Sequence, residues 1–397
     1  MSHKPAGWII LLLASIVATT PLAIDMYLPA MPLMAQQLDT TIGMVQQSLS
    51  IFLAFFGVSM LICGPLADNL GRRPLAIFGL TGFVLASIAL SLVSSIEWFL
   101  IWRAAQALCG AAATVVVPGI VRHIYQEHTA KGMSYVSMIM MLAPLLAPAI
   151  GSGILWLANW QTIFVTLAGY ALLVLLLSWR YLPETKSTVA PTVKPSFLSG
   201  YKVVFSNASA RPDIATSMFA SFSFFCFLTA VPFVYIKFFG VNEQQFSLLF
   251  GVNVAMLMLA NFINSRLVVR LGPQRMLRAG LAVAIVSASA LAMFNFWQFS
   301  LAYTVFSIAP LMASLGLIAT NADAMILMKF PHNSGTATAV IGTLRFGIGS
   351  LSGPLLALFY NGTPLPFALL MLSGVLCIAF SQLWHKATAA AVTATAD

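Results

Sequence analysis

Trp8-Ile-Ile-Leu-Leu-Leu-Ala-Ser-Ile-Val-Ala-Thr-Thr-Pro21-Leu-Ala-Ile-Asp25-Met-Tyr-Leu-Pro29-Ala-Met-Pro32 decides how this chain is read. The run is apolar and shows no two-residue alternation, so it reads as a helix. At about 1.5 Å of rise per residue, Asp25 lies roughly 25 Å from the start of the run. The hydrocarbon core of a bilayer is about 30 Å thick, so a spanning helix carries this carboxyl into the far half of the membrane. An ionised Asp at the centre of such a helix costs about 2.5–3.5 kcal/mol. A residue of this kind faces a cavity, has a partner or takes a proton. Asp25 therefore reads as a proton-handling group.

The rest of the chain has the same character. Of 397 residues, 60% are hydrophobic and 7% charged, against about 25% charged in a soluble domain. The bilayer admits helices or a closed barrel, and apolar runs of about twenty residues favour helices. No separate signal peptide is expected before the first run, which continues past a typical signal core without a small-residue cleavage site. The four cysteines, Cys63, Cys109, Cys226 and Cys377, fall inside apolar runs without metal-ligand spacing and read as packing residues. The histidines show no metal spacing either, so no metal, cofactor or catalytic group is expected.

About twelve spans are expected, near 8–34, 45–67, 75–95, 98–121, 133–157, 161–182, 213–237, 245–267, 276–296, 298–322, 335–360 and 364–385. They form two six-span halves, 1–182 and 213–386, joined by a polar linker at 183–212 and followed by a disordered tail at 387–397. The net charge of +9 is a topology signal and not a nucleic-acid footprint. Arg72, Arg73, Arg122, Lys131, Arg266, Arg270, Arg275 and Arg278 lie near even-numbered loops, which puts both termini in the cytoplasm. Leu70-Gly71-Arg72-Arg73 has a faint echo in Leu271-Gly272-Pro273-Gln274-Arg275, 201 residues on. Paired halves with an internal repeat are a transporter build. Trp8, Trp98, Trp156, Trp160 and Trp384, near span ends, read as interfacial anchors.

Gly64-Pro-Leu-Ala-Asp68-Asn-Leu-Gly71-Arg72-Arg73-Pro74 resembles the loop-2/3 signature of the major facilitator superfamily. Ile101-Trp-Arg103-Ala-Ala-Gln106-Ala-Leu-Cys-Gly110 resembles the span-4 signature of its drug:proton antiporters. Ala143-Pro144-Leu-Leu-Ala-Pro148-Ala-Ile-Gly151-Ser-Gly153 resembles their span-5 antiporter motif. The Asp25 segment, Pro232-Phe-Val-Tyr235-Ile, Phe330-Pro-His-Asn-Ser-Gly335-Thr-Ala and Arg345-Phe-Gly-Ile-Gly-Ser350 narrow the resemblance to the bicyclomycin-resistance (Bcr/CflA) type.

That resemblance implies a proton-coupled multidrug efflux transporter, a monomer in the bacterial inner membrane. Such a transporter would export small lipophilic antibiotics such as bicyclomycin, phenicols or sulfonamides by alternating access, with the proton gradient as energy source. A proton-coupled carrier of a nucleoside or sugar is the alternative. Asp25 and Arg103 would line one cavity and interact directly or through water; the Arg and the burial pull the carboxyl in opposite directions. Gly64, Asp68, Gly71, Arg72 and Arg73 would form a conformational latch, with Asp68 bonded to its neighbouring Arg. Pro144, Pro148 and Gly151 would mark exchange, with a bend at Pro148 and contact with span 8 across the two halves. Met26, Tyr27, Phe222, Phe225 and Arg345 are the candidate substrate contacts. Asp323 departs from the family pattern and is expected to pair with Lys329 or to titrate as a second site.

Overall fold

The computed structural model describes residues 7–185, 202, 204–330 and 334–394, apart from the side chains of 65, 68, 69, 127, 130, 334–336 and 385–394. Among the described residues, twelve helices are long and apolar enough to cross a membrane. Spans 1 to 6 are Gly7–Gln37, Ile42–Gly64, Arg72–Leu92, Ile96–Tyr125, Lys131–Leu157 and Gln161–Tyr181. Spans 7 to 12 are Arg211–Phe238, Glu243–Leu271, Pro273–Phe296, Leu301–Lys329, Ala337–Leu358 and Leu365–Trp384. No strand occurs among the described residues.

The chain divides into two compact units, Met1–Thr192 with Asn242–Gly251, and Val193–Val241 with Val252–Asp397. In the first, span 3 packs against spans 4 and 6; in the second, span 9 packs against spans 10 and 12. The repeat is visible in backbone detail. Gly71 turns from span 2 into span 3 at φ +99°, and Gly272 turns from span 8 into span 9 at φ +81°. Both values lie where a side chain is strained. Gly79 lets span 3 close on span 4: a Cβ there would sit 2.6 Å from the Ala113 nitrogen and the Cys109 carbonyl oxygen. Its counterpart Gly280 would meet Leu317 and Ile318 of span 10. Small residues at such crossings let helices approach without a hydrophobic drive.

Several expectations change. The expected bend in span 5 at Pro148 instead falls at Met141–Leu142, and Ala143–Leu157 runs on as one helix through Pro148. Pro144 cannot bond back to the carbonyl of Met140, and it sits well in the first turn of a new helix. Trp160 is buried rather than interfacial: its Nε1 donates to Gln37 Oε1 at 2.8 Å, and its ring meets Phe99 and Phe164 edge-on. Trp8, Trp98, Trp156 and Trp384 are exposed. The tail expected to be disordered is helical as far as Ala394, continuing span 12, in keeping with the helix propensity of its alanines. Most of the 183–212 linker lies outside the described residues; span 7 begins within it at Arg211.

Candidate functional site

Span 1 is broken where its acid sits. A helix runs Gly7–Asp25, a short 3₁₀ turn follows at Leu28–Ala30, and a second helix runs Met31–Gln37. Pro29 and Pro32 supply no N–H to the carbonyls of Asp25 and Leu28, so the ladder cannot continue through this stretch. Asp25 is buried at the end of the first helix, and its Oδ1 has no hydrogen-bond partner. The next residue meets span 5: a Cβ on Gly151 would lie 1.9 Å from the Met26 carbonyl oxygen. Only glycine admits that approach of one backbone to another.

Arg103 of span 4 is fully buried. Its Nη1 donates to the Ala23 carbonyl at 3.1 Å and to Gln106 Oε1 at 2.6 Å. Gln106 Nε2 then donates to Ser87 Oγ at 2.8 Å, which tethers span 4 to span 3. The guanidinium carbon lies 4.5 Å from the ring centres of both Tyr27 and Phe52. A desolvated contact of this kind contributes about 2 kcal/mol. The expected direct Asp25–Arg103 pair is not formed, for no ion pair within 4 Å joins them. The guanidinium reaches the backbone two residues before the acid and is occupied by two aromatic faces.

Span 5 also meets the start of span 8 within the first unit. Ser152 Oγ donates to the Glu243 carbonyl at 2.7 Å, and Ser247 Oγ donates to the Pro148 carbonyl at 2.8 Å. The contact expected across the two halves thus falls inside one compact unit, made by the hydroxyls beside Pro148 and Gly151.

The second unit holds the other acid–base centre. Asp323 of span 10 pairs with Arg345 Nη1 of span 11 at 2.8 Å. Arg345 Nε donates to Ser221 Oγ at 2.7 Å, and Ser217 Oγ donates to Asp323 Oδ1 at 2.6 Å, both from span 7. The pair borders a cavity of about 210 Å³ with Phe224, Leu257, Asn261 and Thr320 on its walls. The expected Asp323–Lys329 pair is absent because Lys329 is taken by Asp213, at 2.6 Å, and by the Ser209 carbonyl. Lys329 and Asp213 meet at the two ends of neighbouring helices, the last turn of span 10 and the first of span 7.

At the loop between spans 2 and 3, Arg72 Nη1 donates to the carbonyls of Gly119 and Thr185, both at 3.0 Å. Arg73 Nη2 donates to the Trp179 carbonyl at 2.6 Å. Glu184 Oε1 accepts the Arg72 backbone N–H at 3.2 Å, where a carboxylate suits the start of a helix.

A family model described as Major Facilitator Superfamily matches residues 13–354. The chain belongs to the Major Facilitator Superfamily. The narrower resemblance is also borne out. The chain is 31% identical, over 94% of each chain, to a bicyclomycin resistance protein homolog of Haemophilus influenzae. It is 33% identical to a chloramphenicol resistance protein of Pseudomonas aeruginosa, covering 88% of this chain and 86% of the relative. Among solved structures, a D-xylose–proton symporter superposes with a TM-score of 0.71 at 14% identity, over 94% of this chain and 97% of that one. This likeness bears on the fold alone.

Within this superfamily fold, the expected site residues are distributed unevenly. Asp25, Arg103 and Gly151 gather around the break in span 1. Met26 and Tyr27 are buried there, Tyr27 with its hydroxyl 2.9 Å from Ser48 Oγ. Phe222 and Phe225 are buried in the second unit, and Phe225 fills the notch left by Gly349. Of the span-7 aromatics it is Phe224 that reaches the cavity, one position from Phe225 and on a different helix face. A Cβ on Gly64 would meet nothing within 4 Å, whereas one on Gly71 would sit 2.9 Å from Glu184 Oε2. The Asp68 side chain lies outside the described residues. Glu184, Asp213 and the Ser217–Ser221 hydroxyls were missed; the acid next to Pro183 and the Arg-Pro-Asp helix start were the available signals.

Proposed function

We infer that this multi-pass membrane protein is a drug:proton antiporter of a bacterial inner membrane, with both termini cytoplasmic. The observation that carries the reading is the near end-to-end match to proteins named for bicyclomycin and chloramphenicol resistance. Asp25 is the coupling group of choice. It is a buried acid with an unpartnered oxygen at a helix break, suited to change its protonation with its surroundings. Arg103 positions the segment by holding the Ala23 carbonyl and stacking on Tyr27. One proton falling through about 150 mV supplies roughly 3.5 kcal/mol, which sustains a gradient of a few hundred-fold for a neutral solute.

The test is uptake by inside-out vesicles carrying a proton gradient, with a small drug panel and a nucleoside. Drug uptake that collapses with an uncoupler supports export. Nucleoside uptake alone moves the protein to a metabolite carrier. Full gradient-driven uptake by Asp25→Asn removes Asp25 as the coupling group.

A further inference from the structure

Gln274 lies in the segment between spans 8 and 9 that echoes the loop between spans 2 and 3, and the echo extends to its contacts. Arg73 follows its turning glycine by two residues and donates to the Trp179 carbonyl of span 6. Gln274 follows Gly272 by two residues, and its Nε2 donates to Gln382 Oε1 of span 12 at 3.0 Å. In the second unit the chain of bonds runs on. Gln382 Nε2 donates to Thr216 Oγ1 of span 7 at 2.8 Å, and Thr216 Oγ1 donates to the Pro212 carbonyl at 2.9 Å. Gln382 and Thr216 are buried, and each side chain both donates and accepts. The next residue of span 7 is Ser217, which donates to Asp323 Oδ1. One turn on, Ser221 donates to the Ser217 carbonyl at 2.9 Å and accepts from Arg345 Nε.

We propose that Gln382 and Thr216 are positioning residues for the Asp323–Arg345 pair, acting through the rotation of span 7. Successive residues of a helix lie about 100° apart. Thr216 accordingly faces span 12, while Ser217 and Ser221 face spans 10 and 11. Apolar packing is non-directional and leaves a buried helix free to turn about its axis. Hydrogen bonds depend on distance and angle, so bonds on two faces fix the turn. Rotating span 7 by one residue position breaks the bond to Gln382 and both serine bonds together. Removing the Thr216 hydroxyl leaves the Gln382 amide N–H buried without its acceptor, a larger penalty than the bond alone. Span 7 then shifts to relieve it and carries the two serines along. Gln274 fastens the other end of the relay to the first turn of span 9, so the loop between spans 8 and 9 is linked to the pair through span 7. The effect on transport, though not the positioning itself, rests on the reading of the chain as a drug exporter.

The experiment uses the full-length chain with isotope-labelled arginine in lipid bilayers and solid-state NMR. Arg345→Lys and Arg103→Lys assign the two Nε–H resonances by their loss. Thr216→Val keeps the shape of the side chain and removes its hydroxyl, whereas Thr216→Ser keeps the hydroxyl. The expected result is an upfield shift of the Arg345 Nε–H proton in Thr216→Val and in Gln382→Leu, as a weakened bond to Ser221 requires. The Arg103 resonance, in the first unit, stays in place, and Thr216→Ser returns the Arg345 resonance to its original position. In proton-driven vesicle uptake, Thr216→Val and Gln382→Leu raise the KM for chloramphenicol about fivefold, the effect of one neutral hydrogen bond, with kcat near wild type. If one of these two variants does not fold, the other decides. An unmoved Arg345 resonance overturns the proposal, as does an equal shift at Arg345 and Arg103, the mark of general loosening. A moved resonance with unchanged KM upholds the positioning and takes the pair out of transport. Absence of chloramphenicol uptake by the wild type sinks the export reading, and the resonance then decides the positioning alone.

Discussion

Asp25 and Arg103 in the first unit and Asp323 and Arg345 in the second are arranged in opposite ways. In the first, Asp25 and Arg103 are both buried yet not joined, and Arg103 is held by a carbonyl, an amide and two rings. In the second, Asp323 and Arg345 are joined at 2.8 Å beside a cavity and remain partly exposed. The joined pair balances its charges at one cavity wall, whereas the buried Asp25 has no ion-pair partner within 4 Å. The contrast fits the proposed role of Asp25 in proton exchange and sets the Asp323–Arg345 pair apart from it.

The largest effect is expected from removing the two acids in turn. Asp25→Asn abolishes gradient-driven drug uptake. Asp323→Asn weakens drug affinity while leaving the residual uptake sensitive to uncoupler. Uncoupler-insensitive transport in Asp323→Asn, with coupling kept in Asp25→Asn, reverses the assignment. Next comes the burial of the ion pairs, read as the denaturation midpoint in detergent. Lys329→Met removes the ammonium 2.6 Å from the fully buried Asp213, at a cost of about 3 kcal/mol. Arg345→Gln leaves a partly solvated Asp323 and costs about 1 kcal/mol or less. Equal losses would show that exposure is not what separates the pairs.

Smaller effects follow from the glycines. Gly151→Ala drives a methyl into the Met26 carbonyl and costs about 1–3 kcal/mol, with transport lost in parallel. Gly153→Ala, where a Cβ meets nothing within 4 Å, leaves both thermal stability and uptake near wild type. Smallest is the repeat itself. Gly71→Ala and Gly272→Ala each force a positive φ and cost about 1 kcal/mol. The loss is greater at Gly71, where the new methyl also meets Glu184. A larger loss at Gly272 argues against the Glu184 contact as a support of the first loop.

The twelve spans were legible because the bilayer demands long apolar runs, and such runs need no tertiary information to recognise. Asp25, Arg103 and Arg345 stood out for the same reason, since a charge inside such a run is rare. Their partners were not. Whether Asp323 meets Lys329 or Arg345 depends on how spans 7, 10 and 11 are rotated about their axes, and one residue of rotation is about 100°. The position along span 7 shows this most plainly. Phe222, Phe225 and Phe224 are equivalent in composition, yet only the last lines the cavity. The break in span 1 was readable in principle from Pro29 and Pro32, whereas the cap by Glu184 comes from a residue more than a hundred positions from the helix it closes.

The contact between Gly151 and Met26 has a mechanical consequence. Most helix crossings are cushioned by side chains, which absorb an ångström of sliding by changing rotamer. Here one backbone rests on another, and the space for a single methyl group is missing. A shift of span 5 toward span 1 has no slack to consume and passes directly into the Met26 carbonyl, one residue past Asp25. The two helices share one degree of freedom at that point, as a cam and its follower do. The acid's surroundings are thereby geared to the position of a helix that carries no charge of its own between Ala143 and Leu157.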